Sequence, residues 1–228
     1  RRCSASAVEL GLIAYADALA LQRRLAALRA AGSVPDTLLL CEHPPVVTLG
    51  RSSGDGHVGE EVARRGIPVV SVERGGDATY HGPGQLVGYP ILALEGAERD
   101  LHQLLRKVEE AVLRGVAGFG IHGERLPGLT GVWVGKSKLC AIGVAVRRWV
   151  TLHGFALNVS VDLQPFGWIV PCGLHDYGVT SMERLLGAAP DPAAVRAAVI
   201  HSFGEVFGRS MRADRLPEAA RERSERPW

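Results

Sequence analysis

Cys172 stands in the string Ile169-Val170-Pro171-Cys172-Gly173, and thirty-four residues before it Lys138 opens the apolar run Lys138-Leu139-Cys140-Ala141-Ile142-Gly143. A thiol between Pro and Gly belongs to a turn rather than to a strand interior, which makes it a candidate nucleophile. A free cysteine has a pKa near 8.5, so only roughly 3% is thiolate at pH 7. A neighbouring ammonium favours the thiolate, and lowering the pKa by about two units raises that fraction roughly 25-fold. Lys138 can supply that charge, which gives a charged residue in an apolar strand a reason to be there. His81, His153 and His175 compete for the activating role, as in Cys-His hydrolases. An inert Cys172 and hydrogen-bonded structural histidines are the plain alternatives.

A second concentration of chemistry is Arg74-Gly75-Gly76-Asp77-Ala78-Thr79-Tyr80-His81-Gly82-Pro83-Gly84-Gln85. Glycine lets backbone approach a ligand closely. A phosphate-binding loop would read GxGxxG or GxxxxGK[ST] and open a helix; neither pattern is present, and a strand follows. A structural turn is the simplest alternative. Arg74, Thr79, Tyr80, His81 and Gln85 nevertheless crowd five polar side chains into twelve residues, more than a plain turn needs.

Alternation supplies a third feature. In Lys138 to Val146, the residues Leu139, Ala141, Gly143 and Ala145 share one face of a strand. In Val150 to Val159, Gly154 and Ala156 share a face around Phe155, and Arg147-Arg148-Trp149 is short enough to join the two strands as a hairpin. Adjoining small-residue faces leave a narrow apolar slot that suits a linear acyl chain. Tight packing of a helix on the same residues reads equally well.

These residues need elements to hold them. Leu12 to Ala31 reads as a helix ended by Gly32 and Pro35, Leu101 to Val116 as an amphipathic helix, and Val195 to Phe207 as another. Strands are expected at 37–42, 46–49, 69–73, 85–94, 131–134, 138–146 and 150–159, with a further one at Trp168 to Pro171 and a short helix at 60–65. Strand runs mixed with a few long helices predict an α/β (α+β) fold, a mixed sheet with flanking helices. The 228 residues suit one catalytic domain over 1–210, followed by a weakly packed or partly disordered tail over 211–228. A net charge of +2 is too mild to argue for nucleic acid. Four cysteines without CxxC or Cys/His ligand spacing predict no metal and suit a reducing cytoplasm. No membrane-spanning run and no apolar stretch typical of a signal peptide follow Arg1-Arg2. The first residue is not Met, as expected of a start that is cut off or altered.

Taken together, these strings resemble the octanoyltransferases of lipoate biosynthesis, the lipoyl(octanoyl) transferases. The resemblance runs through Cys41-Glu42-His43-Pro44, Thr48-Leu49-Gly50-Arg51, Arg74 to Gln85, Gly131-Val132-Trp133-Val134, Lys138 to Gly143, His153 to Asn158, Pro171-Cys172-Gly173 and Thr180-Ser181. It implies that Cys172 carries the acyl group as a thioester and that Lys138 lowers its pKa and moves protons. It also implies that substrate lies along Arg74, Gly75, Gly76, Asp77, Ala78, Thr79, Tyr80 and His81, along Ala141, Ile142 and Gly143, and along Gly154, Phe155 and Ala156. The fold implied is similar to the catalytic domain of biotin and lipoate protein ligases. Asp77-Ala78 departs from the family, where a longer polar residue and Val are more usual. Arg1 to Ala5 and the tail after Ser210 match nothing in it.

The implied donor is octanoyl-acyl carrier protein. The implied acceptors are lipoyl domains of 2-oxoacid dehydrogenase complexes and the glycine cleavage H protein, with no cofactor. Three rival readings remain: an ATP-dependent lipoate or biotin protein ligase, a Cys-His hydrolase, and a non-catalytic acyl-binding protein.

Overall fold

The structure, a computed structural model, describes residues 3–54, 58–169 and 177–221. In chain order the elements are β1 (Cys3–Leu12), α1 (Tyr15–Ala30), β2 (Asp36–Glu42), β3 (Val46–Leu49), α2 (Glu60–Arg64), β4 (Val69–Ser71), β5 (Thr79–His81), β6 (Gln85–Ile91) and α3 (Leu101–Ala117). Then follow β7 (Glu124–Leu126), β8 (Leu129–Val134), β9 (Ser137–Arg147), β10 (Val150–Asn158), β11 (Gly178–Val179), α4 (Met182–Leu186), α5 (Pro192–Phe207), β12 (Arg209–Ala213) and α6 (Glu218–Arg221).

The main sheet runs β12-β1-β2-β6-β10-β9-β8-β7 and is mixed, as expected: β1 is parallel to both neighbours, and the rest of this path is antiparallel. Both faces are covered. Leu38 and Leu40 of β2 pack with α3 and α5, whereas Leu39 and Cys41 pack with α1. Burial on two sides explains the unbroken run Leu38-Leu39-Leu40-Cys41, which shows no alternation. A smaller sheet, β4-β3-β5, sits with α2 over a separate core that includes Val47, Val62, Ala78 and Ile169.

Local chemistry sets the helix ends. Asp100 caps α3 by accepting hydrogen bonds from the His102 and Gln103 amides at 2.9 and 3.1 Å. Gly32, at φ +72°, ends α1, and the Ser33 amide closes it onto Leu28 O at 2.8 Å.

Three expectations change. Cys3–Leu12 is a ten-residue strand that the sequence hides, because its buried residues are Ala5, Ser6, Ala7 and Val8. Small and polar side chains carry little strand signal, and pairing with neighbours on both sides decides the outcome. The first helix starts at Tyr15 rather than Leu12, since Gly11, at φ +66°, and the extended Ala14 precede it. Gln164–Trp168 is a 3-10 turn where a strand was expected from Trp168, and Ile169 makes only an isolated bridge to Val58. Val170 and Pro171 lie outside the described residues. Of the stretch from 211 onward, 211–213 complete β12, and Ala220 is buried against the α1 side, with its carbonyl accepting from Arg24 Nε at 3.1 Å.

Candidate active site

β9 and β10 pair so that Gly143 faces Gly154 and Ala141 faces Ala156. The two small-residue faces therefore adjoin, and they form one wall of a cavity of about 590 Å³. Further lining comes from the segment between β4 and β5, with Arg74, Gly76, Asp77 and Ala78, and from Thr79 and His81 of β5. Ile142 and Phe155 also border the cavity, while their side chains belong to the core under α3 and α5.

Gly75 and Tyr80 do not line it. The Gly75 amide donates to Val144 O at 3.0 Å, and the Tyr80 ring packs edge-on against Phe166. Gly143 contributes less open space than its size suggests. A Cβ there would stand 2.7 Å from Gly75 O, so the missing side chain lets the glycine-rich segment rest on β9. The room for a chain is at Ala141 and Ala156.

Lys138 sits where β10 has ended. The last β10 pairings on this side are Leu157 with Cys140, and β11 takes over beside β9 by pairing Val179 with Lys138. The lysine thus lies between β8 and β11 at one end of the cavity. Its Nζ stands 4.8 Å from the centre of the Trp133 ring, which Tyr177 meets edge-on at 5.3 Å. Burial pulls its pKa below the ordinary lysine value, a pull that the nearby Cys140 opposes. A Cβ at Gly131, which has φ +135°, would stand 2.8 Å from Cys140 O, so the missing side chain lets β8 lie close against β9 beside Lys138. The fully buried Glu109 holds the Gly131 amide at 3.1 Å and pairs with Arg106 and Arg125.

A hydrogen-bond chain ties this end to the glycine-rich segment. Arg74 Nη2 donates to Thr48 Oγ1, and Thr48 Oγ1 reaches His81 Nε2 at 3.4 Å. His81 Nδ1 donates to Gln85 Oε1 at 2.7 Å, and Gln85 Nε2 donates to Asn158 Oδ1 at 2.9 Å. Asn158 Nδ2 donates to Thr180 O, whose own amide donates to Lys138 O at 3.0 Å. Every amide and ring in the chain has one consistent orientation. His81 is therefore a neutral structural histidine, its pKa pushed down to about 3 chiefly by burial.

The other rivals for the nucleophile and base are placed as follows. Burial pushes the Cys41 thiol up to about 12 and Cys140 higher still, which suits inert thiols. Cys3 is exposed on β1, four strands from β9. His153 lines the cavity and is pushed down to about 4, chiefly by burial. Cys172 and His175 lie outside the described residues; Ile169 and Tyr177, the described residues that flank that stretch, both line the cavity. Among the described residues no group of His, Cys, Asp and Glu is placed to hold a metal ion. Trp133 escaped sequence reasoning as the partner of Lys138, and Glu109 as the anchor of Gly131. A charged residue at an inward position of the α3 pattern was the available signal for Glu109.

Comparison with known proteins decides the family. Residues 14–204 match the lipoyl protein ligase A/B catalytic domain. The chain is 53% identical over 203 residues to an octanoyltransferase of Rubrobacter xylanophilus, covering 87% of this chain and 91% of that protein. It is 50% identical over 213 residues to an octanoyltransferase of Chloroflexus aurantiacus, covering 91% and 96%. The chain belongs to the octanoyltransferase family. It is thus an acyltransferase by family, and its fold is shared more widely. Lipoate-protein ligase A bound with ATP superposes with a TM-score of 0.79 at 19% identity, covering 97% of this chain and 92% of that one. Biotin protein ligase from Aquifex aeolicus superposes at 0.52 and 15% identity, covering 89% and 68%. At such identities the likeness concerns the fold alone.

Proposed function

We propose that this octanoyltransferase-family chain moves an octanoyl group from octanoyl-acyl carrier protein, through a thioester on Cys172, to the lysine ε-amine of lipoyl domains. Those of 2-oxoacid dehydrogenase complexes and the glycine cleavage H protein are the expected acceptors. The observation that carries the reading is a cavity walled by paired small residues and lined by a half-buried lysine, in a chain half identical to octanoyltransferases. Residues 1–210 act as one catalytic domain, and the reducing cytoplasm suits its free thiols.

The chemistry runs in two halves. The Cys172 thiolate attacks the donor thioester carbonyl, the carbonyl–sulfur bond of the donor breaks, and the carrier thiolate leaves with a proton. One thioester replaces another at little free-energy cost. The target amine then attacks the Cys172 thioester carbonyl and loses a proton, the carbonyl–Sγ bond breaks, and Cys172 is returned as the thiolate; the product is an amide, so this half is downhill and needs no ATP. Lys138 as ammonium favours the thiolate by charge. Its lowered pKa makes it a readier proton donor to the leaving thiolate, and having given up that proton the neutral amine can accept the target amine's proton in the second half. Backbone N–H groups near the glycine-rich segment or around Cys172 would hold the developing oxyanion.

The test is intact mass after incubation with octanoyl-carrier protein. One octanoyl group should appear, hydroxylamine should remove it, and Cys172→Ala should never gain it. A strict requirement for ATP would instead place the chain with the ligases, and release of free octanoate would make it a hydrolase.

A further inference from the structure

Among the described residues, Asp77 is the only acid that lines the cavity. It is half-buried and stands on the glycine-rich segment between β4 and β5. That segment is fastened on two sides. The Gly75 amide donates to Val144 O of β9 at 3.0 Å, and the Ser52 amide donates to Gly76 O at 3.1 Å. The Asp77 carboxylate is fastened in turn, because its Oδ1 accepts from the Ala78 amide at 2.6 Å, which limits its rotation.

Two cations line the same cavity, Lys138 and Arg74, and the Asp77 charge favours the ionised form of each. Arg74 is committed to the protein: Nη1 donates to Gly75 O, and Nη2 donates to Thr48 O and Thr48 Oγ1. The charge on Lys138, by contrast, changes during the reaction proposed above. As ammonium it balances the Cys172 thiolate. Once it has protonated the departing carrier thiolate it is neutral, and the acylated Cys172 is neutral too. His81 and His153 are neutral at pH 7. The acceptor lysine arrives at this stage, and at pH 7 it arrives as an ammonium. Of the described side chains that line the cavity, Arg74 then repels it and Asp77 alone attracts it by charge.

We infer that Asp77 is a catalytic residue of the second half-reaction, receiving the ε-ammonium of the acceptor lysine and placing it beside neutral Lys138 and the Cys172 thioester. The inference rests on the acyl-enzyme reading above. The proton balance closes. The bound ammonium gives one proton to Lys138 Nζ and becomes a nucleophilic amine. Its nitrogen bonds the thioester carbonyl carbon, the carbonyl–Sγ bond breaks, and the second proton leaves the nitrogen for solvent. The products are the amide, the Cys172 thiolate and the Lys138 ammonium, which is the pair that began the cycle. Asp77 neither gains nor loses a proton. It holds the lysine by a charge-assisted hydrogen bond while the ammonium lasts, and it favours return of the charge to Lys138.

The experiment loads the full chain with octanoyl-carrier protein, isolates the octanoyl-enzyme and follows its loss to two nucleophiles. One is a lipoyl domain, whose lysine is charged; the other is hydroxylamine, which is mostly neutral near pH 7. Asp77→Asn keeps an Oδ1 for the Ala78 amide and removes the charge. It should lower the ratio of the lysine rate to the hydroxylamine rate by about tenfold, and Asp77→Glu should restore most of that ratio. An unchanged ratio overturns the inference, because loss of both rates in proportion means that Asp77 acts only through Lys138 or through the fold. A readout without substitution guards against a variant that fails to fold. With ¹³C-carboxyl-labelled aspartate, the Asp77 resonance of the octanoyl-enzyme should move on adding Nα-acetyl-lysine and stay in place with Nα-acetyl-norleucine, which lacks the ammonium. Equal movement, or none with either, overturns it. If no octanoyl group forms on Cys172, the acyl-enzyme reading falls and takes the role of Asp77 with it. If the octanoyl-enzyme forms and the ratio holds, only the role of Asp77 falls.

Discussion

The Lys138 ammonium faces the Trp133 ring at 4.8 Å across the β8–β9 hairpin. The ring's negative face favours the charged lysine, while burial disfavours it. Removing the ring should therefore lower the Lys138 pKa further, and the thiol would lose its positive neighbour at lower pH. Trp133→Leu should shift the pH profile of Cys172 alkylation by iodoacetamide upward, and Lys138→Ala should shift it further. A cation–π contact of this kind contributes about 0.5–2 kcal/mol, so the Trp133 shift should be at most about 1.5 pH units. An unshifted profile in Lys138→Ala would pass the activating role to a histidine.

Glu109→Ala should destabilise the fold. The carboxylate accepts from Arg106, Arg125 and the Gly131 amide, and its loss leaves the buried amide unpaired. Because both arginines reach solvent, the cost should be near the lower end for a broken buried pair, about 2–3 kcal/mol. Urea unfolding measures it. A change under 0.5 kcal/mol, the range of a typical surface substitution, would show that Glu109 is not an anchor.

Ala156→Leu should shorten the slot. Each buried methylene contributes about 0.8 kcal/mol, so excluding two or three should cost octanoyl transfer about 1.6–2.4 kcal/mol. A butanoyl thioester should lose much less. Rates with both donors, on variants whose thermal melts show a folded protein, give the comparison; equal losses would return Ala156 to ordinary packing. Gly143→Leu should instead push the glycine-rich segment off β9 and lower activity with both donors alike.

Stability should fall with acid from about pH 6.5 downward. His81 and His153 are held neutral, with folded pKa values near 3 and 4 against an unfolded value near 6.5. The unfolded chain binds their protons first, so the stability these burials retain is complete above pH 6.5 and is lost progressively towards pH 3–4. The urea midpoint should drop between pH 7 and 5, and His153→Asn, which tolerates the same backbone, should flatten that drop. A slope unchanged in this variant would remove His153 from the account.

Some of this was legible in the sequence because period-two alternation survives in β9 and β10. The small residues at 141, 143, 154 and 156 announce a shared face, and the hairpin at 147–149 sets their register. The amphipathic helix α3 and the apolar spacing of α5 were equally plain. What escaped depends on distant partners. β1 is built from Ser, Ala and Val and becomes a strand only between β2 and β12. The meeting of Lys138 with Trp133 follows a register shift between Val132 and Trp133, which no local pattern encodes. The space beside Gly143 is filled by the backbone of Gly75, a contact between distant segments that no local pattern encodes.

The parallel pairing of β1 with β12 joins Cys3 to Arg209, residues more than two hundred positions apart. During synthesis β1 can find β2 early, but this other edge has no partner until the ribosome has reached residues 209–213. For that interval the nascent domain carries an open strand edge, the kind of surface on which chains join one another. The last strand is therefore also a cover, and the Asp214 amide, bound to Ala7 O at 2.9 Å, extends it past the end of β12. A chain cut before residue 209 would keep every described cavity residue and would still leave the ribosome with a sticky side.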